Sequence, residues 1–257
     1  MPVRAEEAYD ELPIPTFTKT RDTSDQIHQY LRRLIIDEVL PSGSTLNQAD
    51  LARRIGVSRI PMREAFRMLQ QEGLIDVQLN QRATVRELSA EEVDNLYGTR
   101  IILESLAVRV TCGRLADAEI ATAEGLLETM KQAASQGDGE LWMSSHRAFH
   151  GICTARAEDP LSQLILSYSE RTERYLRFAQ KAHPQAFASA HSEHVAILDA
   201  VRRGDVMRGG ALMGEHLSHT ALIALGDLGD SSGGVTIREA LAMSVGVPSA
   251  SQLVQAR

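Results

Sequence analysis

Imidazole and guanidinium groups carry the chemistry latent in this chain. Eight histidines occur in 257 residues, and seven fall late in the sequence, at 146, 150, 183, 191, 194, 216 and 219. His146 and His150 are four apart, so a helix presents both on one face, as two metal ligands from a single helix must be. His194 and His216 flank Gly204, ten residues before it and twelve after. With Gly204 as the turn of a helical hairpin, a rise of about 1.5 Å per residue sets both imidazoles at nearly one height on adjacent antiparallel helices. Four neutral nitrogens then converge where a divalent transition metal can sit. The same periodicity leaves His191 and His219 on usable faces and is equally met by ordinary surface or core histidines. His183, beside Pro184 in an expected connection, is set aside.

Guanidinium groups concentrate upstream. The turn Gly56-Val57-Ser58 leads into Arg59-Ile60-Pro61-Met62-Arg63. Arg59 and Arg63 are four apart and share one face near a helix N-terminus, the end that a recognition helix points at base edges and phosphates. Arginine forks onto a guanine edge or a phosphate, and the helix terminus adds its own attraction for phosphate. Arg67 continues the stripe toward backbone phosphate, with Arg53, Arg54 and Arg82 as further phosphate contacts. About five such contacts give a salt slope of order −4 to −5 on B-DNA. Singly, each arginine also reads as a solvated residue paired with Glu64 or Glu72. The net charge of −7 does not exclude nucleic acid, because Thr20 to Leu88 balance at +1 while the chain before them carries −2 and the chain after them −6.

These residues need elements to position them. Residues 1–19, with three prolines, four acids and no apolar period, read as a mobile arm. Within 20–88, helix follows Ser24 with Ile27, Leu31, Leu34 and Ile35 inward, and a second follows Asn47 with Leu51 and Ile55 inward. A third is capped by Ser58, with Met62, Phe66 and Leu69 inward. Two β-rich runs, Leu74 to Leu79 and Ala83 to Leu88, join through Asn80-Gln81-Arg82 as a hairpin. That order is a winged helix-turn-helix. From the capping box Ser89-Ala-Glu-Glu92, residues 89–226 read as an antiparallel all-α bundle of about six helices, at 90–112, 117–135, 138–157, 160–181, 186–203 and 205–225. Gly209, Gly210 and Gly214 each cost a helix roughly 1 kcal/mol against Ala, which points to close packing or room for a ligand. Residues 227–257, rich in Gly, Ser and Ala, read as a disordered tail, with Ile237 to Val245 able to form one weak helical turn or two.

The expected fold class is therefore mainly α, a winged helix-turn-helix followed by a helical bundle. A composition of 43% hydrophobic residues supports two such domains. No run approaches the roughly 18 apolar residues of a membrane helix, and the start lacks a signal-peptide pattern, so a soluble cytoplasmic protein with no membrane partner is expected. Cys112 and Cys153 have neither disulfide nor thiolate-zinc spacing.

The run from Leu51 to Leu74, LARRIGVSRIPMREAFRMLQQEGL, resembles the signature of the GntR family of regulators. The resemblance implies a winged helix with Arg59 and Arg63 facing DNA, Ser58 capping the recognition helix, and a hairpin touching the minor groove. Arg82 stands where the family usually has a wing-tip Gly. Residues 92–225 resemble the all-helical effector domain of the FadR subgroup, in which an Asp-x-x-x-His pair and two later histidines bind a divalent metal. This implies His150, His194 and His216 as ligands, with His146 in the place of the usual Asp. An imidazole there leaves a site charge of about +2 rather than +1 and favours Zn, Ni or Cu over harder ions. A metal with an open position takes an anionic oxygen, and related regulators sense small organic acids. Arg100, four before Glu104, resembles a position that faces the effector cavity and holds a carboxylate, and equally fits a plain i,i+4 surface pair.

The function expected is a ligand-responsive repressor, not an enzyme. It binds a double-stranded, inverted-repeat operator as a homodimer and changes DNA affinity on binding a small organic acid. The alternatives are a metal-responsive regulator and a metal-dependent hydrolase, the latter lacking a base beside the histidines.

Overall fold

The structure, a computed structural model, describes residues 15, 17, 22–78, 82–230 and 233–246, with the side chains of 184–189 left aside. The chain divides into two compact units, Met1–Leu88 and Ser89–Arg257. Most of the 1–19 arm, the wing-tip residues Asn80 and Gln81, and the end of the tail from 247 lie outside the described residues.

In the first unit, α1 (Thr23–Ile36), β1 (Thr45–Asn47), α2 (Gln48–Arg54), α3 (Arg59–Gln71), β2 (Ile75–Val77) and β3 (Arg82–Val85) follow in order. The apolar stripes read from the sequence meet in one core: Ile27, Leu31 and Ile35 from α1, Leu51 from α2, and Met62, Phe66 and Leu69 from α3. Gly56 turns α2 into α3 at φ 72°, a left-handed value that glycine adopts without strain. The hairpin expected after α3 is present, but it belongs to a three-stranded sheet of order β1-β3-β2. Thr45 pairs with Thr84, and Ile75 with Val85. Three residues of β1 are too few for an alternating pattern to register, so the third strand escaped the sequence reading. From the arm, Phe17 stacks edge-on against Tyr30, centroids 5.8 Å apart.

The second unit contains α4 (Ala90–Thr111), α5 (Asp117–Gln136), α6 (Gly139–Cys153), α7 (Leu161–Ala182), α8 (Pro184–Arg203), α9 (Val206–Asp227) and α10 (Val235–Gly246). The Ser89 hydroxyl accepts from Glu92 N–H as a capping box requires. The reciprocal half is replaced, because Tyr175 Oη accepts from the Ser89 N–H and donates to the Glu92 carboxylate. Pro184 starts α8 rather than preceding it, since proline at a first helical position forfeits no hydrogen bond. The α8–α9 turn is Gly204 at φ 71°, set back to back with Gly113, also at φ 71°. A Cβ on Gly204 would lie 3.4 Å from Gly113 Cα.

The disordered tail expected from 227 is corrected by α10, which packs on α4 and α9. Asp94 of α4 accepts from the N–H groups of Val235, Thr236 and Ile237, satisfying three donors that a helix start leaves unpaired. Small residues make room: a Cβ on Gly98 would lie 2.6 Å from Thr236 Cγ2, and one on Gly214 would lie 2.6 Å from Ser244 Oγ. Gly209 and Gly210 press likewise on Cys112 and Arg109 of α4. Close packing accounts for Gly209, Gly210 and Gly214 of α9. No described helix is long and apolar enough to cross a membrane.

Candidate metal centre and nucleic-acid interface

Helix α6 is fixed at its start by Asp138, which accepts from Leu141 N–H, and carries His146 and His150 on one face. Helices α8 and α9, joined at Gly204, bring His194 and His216 to the same point. All four side chains are buried, and one nitrogen from each lies within 4.8 Å of the others. His146 and His150 have ring centroids 4.4 Å apart, as do His194 and His216. His191 and His219 stand outside this group. His219 is an exposed residue whose Nδ1 meets Glu193 at 2.7 Å, and His183 pairs with Asp227.

Two carboxylates define the tautomers. Glu104 Oε2 lies 2.9 Å from His150 Nδ1, and Glu193 Oε2 lies 2.8 Å from His216 Nδ1. Burial alone would raise the Glu104 carboxyl, but the Arg100 guanidinium and the His150 ring outweigh it and hold the group at about 2. Burial likewise opposes ionisation of Glu193, and its hydrogen bonds to His216 and His219 win, holding it below the usual range. An ionised carboxylate only accepts, so each Nδ1 donates, and a neutral ring then bears its lone pair on Nε2. His150 Nε2 is buried without a hydrogen-bond partner. His216 Nε2 faces His194 Nε2 at 3.2 Å, near the ~3.4 Å between nitrogens around a tetrahedral zinc with bonds of about 2.0–2.1 Å. Burial, followed by the mutual repulsion of the cluster, lowers the protonation of His146 and His194 well below the ordinary histidine range. Burial lowers His216 as well, against the opposing pull of Glu193. Imidazole nitrogens that offer lone pairs are the donor set that suits Zn, Ni or Cu.

Arg100 joins this site by way of Glu104. Its Nε and Nη2 meet Glu104 Oε1 at 2.7 Å, and its Nη1 donates to Thr172 Oγ1 at 2.7 Å. The pair is the i,i+4 arrangement read from the sequence, buried rather than at the surface. Glu193 was not read from the sequence, although the hairpin count finds it: eleven residues before Gly204, it sits level with His216, twelve after.

On the first unit, Ser58 occupies the N-cap of α3, but its hydroxyl makes no capping bond. Pro61, at the third helical position, has no N–H to offer it. Arg59, Arg63, Arg67, Arg53 and Arg82 are exposed. Arg67 Nε pairs with Glu64 at 3.0 Å and Arg53 with Asp50 at 2.7 Å, while Arg63 is only 4.0 Å from Glu64. Arg54 lies in the last turn of α2. Beside Arg59, Ile60 is 68% exposed, an apolar side chain of the kind that contacts thymine methyl groups. Sequence reading passed over it because it breaks the buried stripe.

Comparison with known proteins gives this geometry its context. Residues 23–85 match the model of bacterial regulatory proteins of the gntR family, and residues 95–219 match the FCD domain. The Nta operon transcriptional regulator of Aminobacter aminovorans is 30% identical over 60% of this chain and 72% of its own length. The chain belongs to the GntR family. This GntR protein is also 27% identical to the probable D-xylose utilization operon transcriptional repressor of Paenarthrobacter nicotinovorans, over 85% of this chain and 96% of that one. Its fold is that of E. coli McbR/YncC, with a TM-score of 0.69 at 24% identity over 80% of this chain and 98% of the other. The expected fold class holds, and the chain is a DNA-binding transcriptional regulator carrying an FCD domain.

Proposed function

We propose that this GntR regulator is a homodimeric repressor that holds a divalent metal on His146, His150, His194 and His216 and leaves an inverted-repeat operator when a small organic acid binds the helical unit. The observation carrying the reading is the unpartnered, buried Nε2 of His150 among three further imidazoles, with Glu104 and Glu193 orienting two of them. Carboxylates hydrogen-bonded to metal-ligating histidines are the usual way such rings are held. They also answer the charge left by His146 in place of Asp: four neutral ligands give the metal no compensation, and Glu104 and Glu193 supply it one bond further out. Zinc or nickel would tie α6 to the α8–α9 hairpin and make its arrangement rigid. In the first unit, Arg59 and Arg63 meet base edges, and Ser58, Arg53, Arg54, Arg67 and Arg82 meet the backbone.

The reading is tested by measuring affinity for a duplex selected by the protein from random sequence, with chelated, zinc-loaded and acid-titrated protein. Release by acids that requires zinc supports it. Release by zinc alone makes the protein a metal sensor, and consumption of the acid makes it an enzyme.

A further inference from the structure

Helices α5, α6 and α8 border a half-open pocket of about 190 Å³ lined by Met130, Lys131, Ala134, Ser135, Trp142, His191 and His194. It touches the histidine cluster twice, directly through His194 and through Trp142, whose indole stacks on His146 at 4.6 Å with 15° between planes. Its size and lining select a class of molecule. An apolar cavity of ~150 Å³ holds a benzene ring, so this one has room for a six-membered ring and a small substituent. A thioether, a methyl and an indole offer that ring dispersion contacts and offer nothing to a second charged group. At one side, Lys131 has no ion-pair or hydrogen-bond partner among the described residues, and His191 Nδ1 is buried with its hydrogen-bonding capacity unmet. One cation at the rim suits one carboxylate. Lys131 supplies the carboxylate with a cation outside the histidine cluster.

We infer that the pocket binds a compact monocarboxylate with a ring-sized apolar body, the carboxylate at Lys131 and the ring against Trp142 and Met130. The inference rests on the reading of the helical unit as acid-controlled and names the class of acid. It excludes small dicarboxylates, whose second charge would be buried against Trp142 without a partner.

Trp142 is the single tryptophan of the chain, so intrinsic fluorescence reports on this cavity. The experiment titrates zinc-loaded, full-length protein with benzoate, cyclohexanecarboxylate and malonate, following fluorescence and, in parallel, release of the selected duplex. The two ring acids should give saturable changes, with malonate at least about tenfold weaker. Lys131→Met, at an exposed position, should weaken benzoate about tenfold, and Ala134→Leu, which fills the cavity, should abolish the response with zinc content unchanged. The proposal is overturned by the absence of a saturable response to either ring acid at millimolar concentration, by malonate binding as tightly as benzoate, or by an unaltered response in the Lys131 variant. Binding of benzoate without release of DNA upholds the cavity and removes the regulatory reading. Release that survives both substitutions upholds the regulatory reading and removes the cavity.

Discussion

Arg59 and Arg63 owe their availability to what they do not touch. Arg59 has no ion-pair partner among the described residues, and Arg63 reaches Glu64 only at the 4.0 Å limit, so neither must break a strong pair to meet DNA. Each replacement by Ala is expected to cost about 1–3 kcal/mol of specific affinity, roughly 5- to 150-fold, and to flatten base discrimination in a competition assay against mutated duplexes. Ser58 lies one residue earlier and tells a different story. Serine before an arginine-rich helix reads as a cap, and the position is correct, but Pro61 removes the usual partner. Ser58→Ala should therefore change stability by less than about 0.5 kcal/mol in denaturant unfolding, against the ~1 kcal/mol of a working cap. The histidines were legible from spacing because two helices and one glycine turn fix their heights. Glu193 was recoverable from the same hairpin count, but the bond from His150 to Glu104 was not, since a hydrogen bond between α6 and α4 leaves no periodic trace.

The helices of the bundle announced themselves by apolar period and, at the first, by the cap Ser89, whereas α10 hid behind a Gly- and Ser-rich approach. What holds α10 is not its own propensity but Asp94, three backbone donors and two glycines cut to its shape. A methyl on Gly98 meets Thr236 backbone atoms at 2.9 and 3.0 Å, and backbone cannot turn aside. Gly98→Ala should cost about 1–3 kcal/mol and deprotect the amides of 235–246 in hydrogen exchange while leaving those of α6 protected. Burial alone would raise Asp94, but the backbone donors of Ile237, Thr236 and Val235 hold its carboxyl below the usual value. A depressed carboxylate contributes stability that is complete above the unfolded value near ~3.9 and is lost as pH falls through the lower folded one. Exchange protection of α10 should therefore be unchanged between neutral pH and pH ~5 and decline only in more acidic solution. Asp94→Asn should remove most of that acid dependence.

As a molecule, the protein separates its chemistry by sign. Residues 20–88 carry a slight positive balance within an acidic chain, with exposed arginines on and around α3. The helical unit exposes most of its charges, but Arg100, Glu104 and His150 form one buried chain of hydrogen bonds. Composition gave this division and the order of elements gave the fold. The strand β1 and the helix α10 needed coordinates, because one is too short to show a period and the other is stabilised by residues some 140 positions away. The account stands or falls on the four imidazoles binding metal in the native chain. The direct test is zinc content after equilibrium dialysis, by elemental analysis, in the native protein and in His150→Ala and His194→Ala variants whose circular dichroism confirms their folding. About one zinc per native chain, with a loss of at least tenfold in affinity in each variant, is the predicted result. A native chain without zinc, or variants that retain it unchanged, would contradict it.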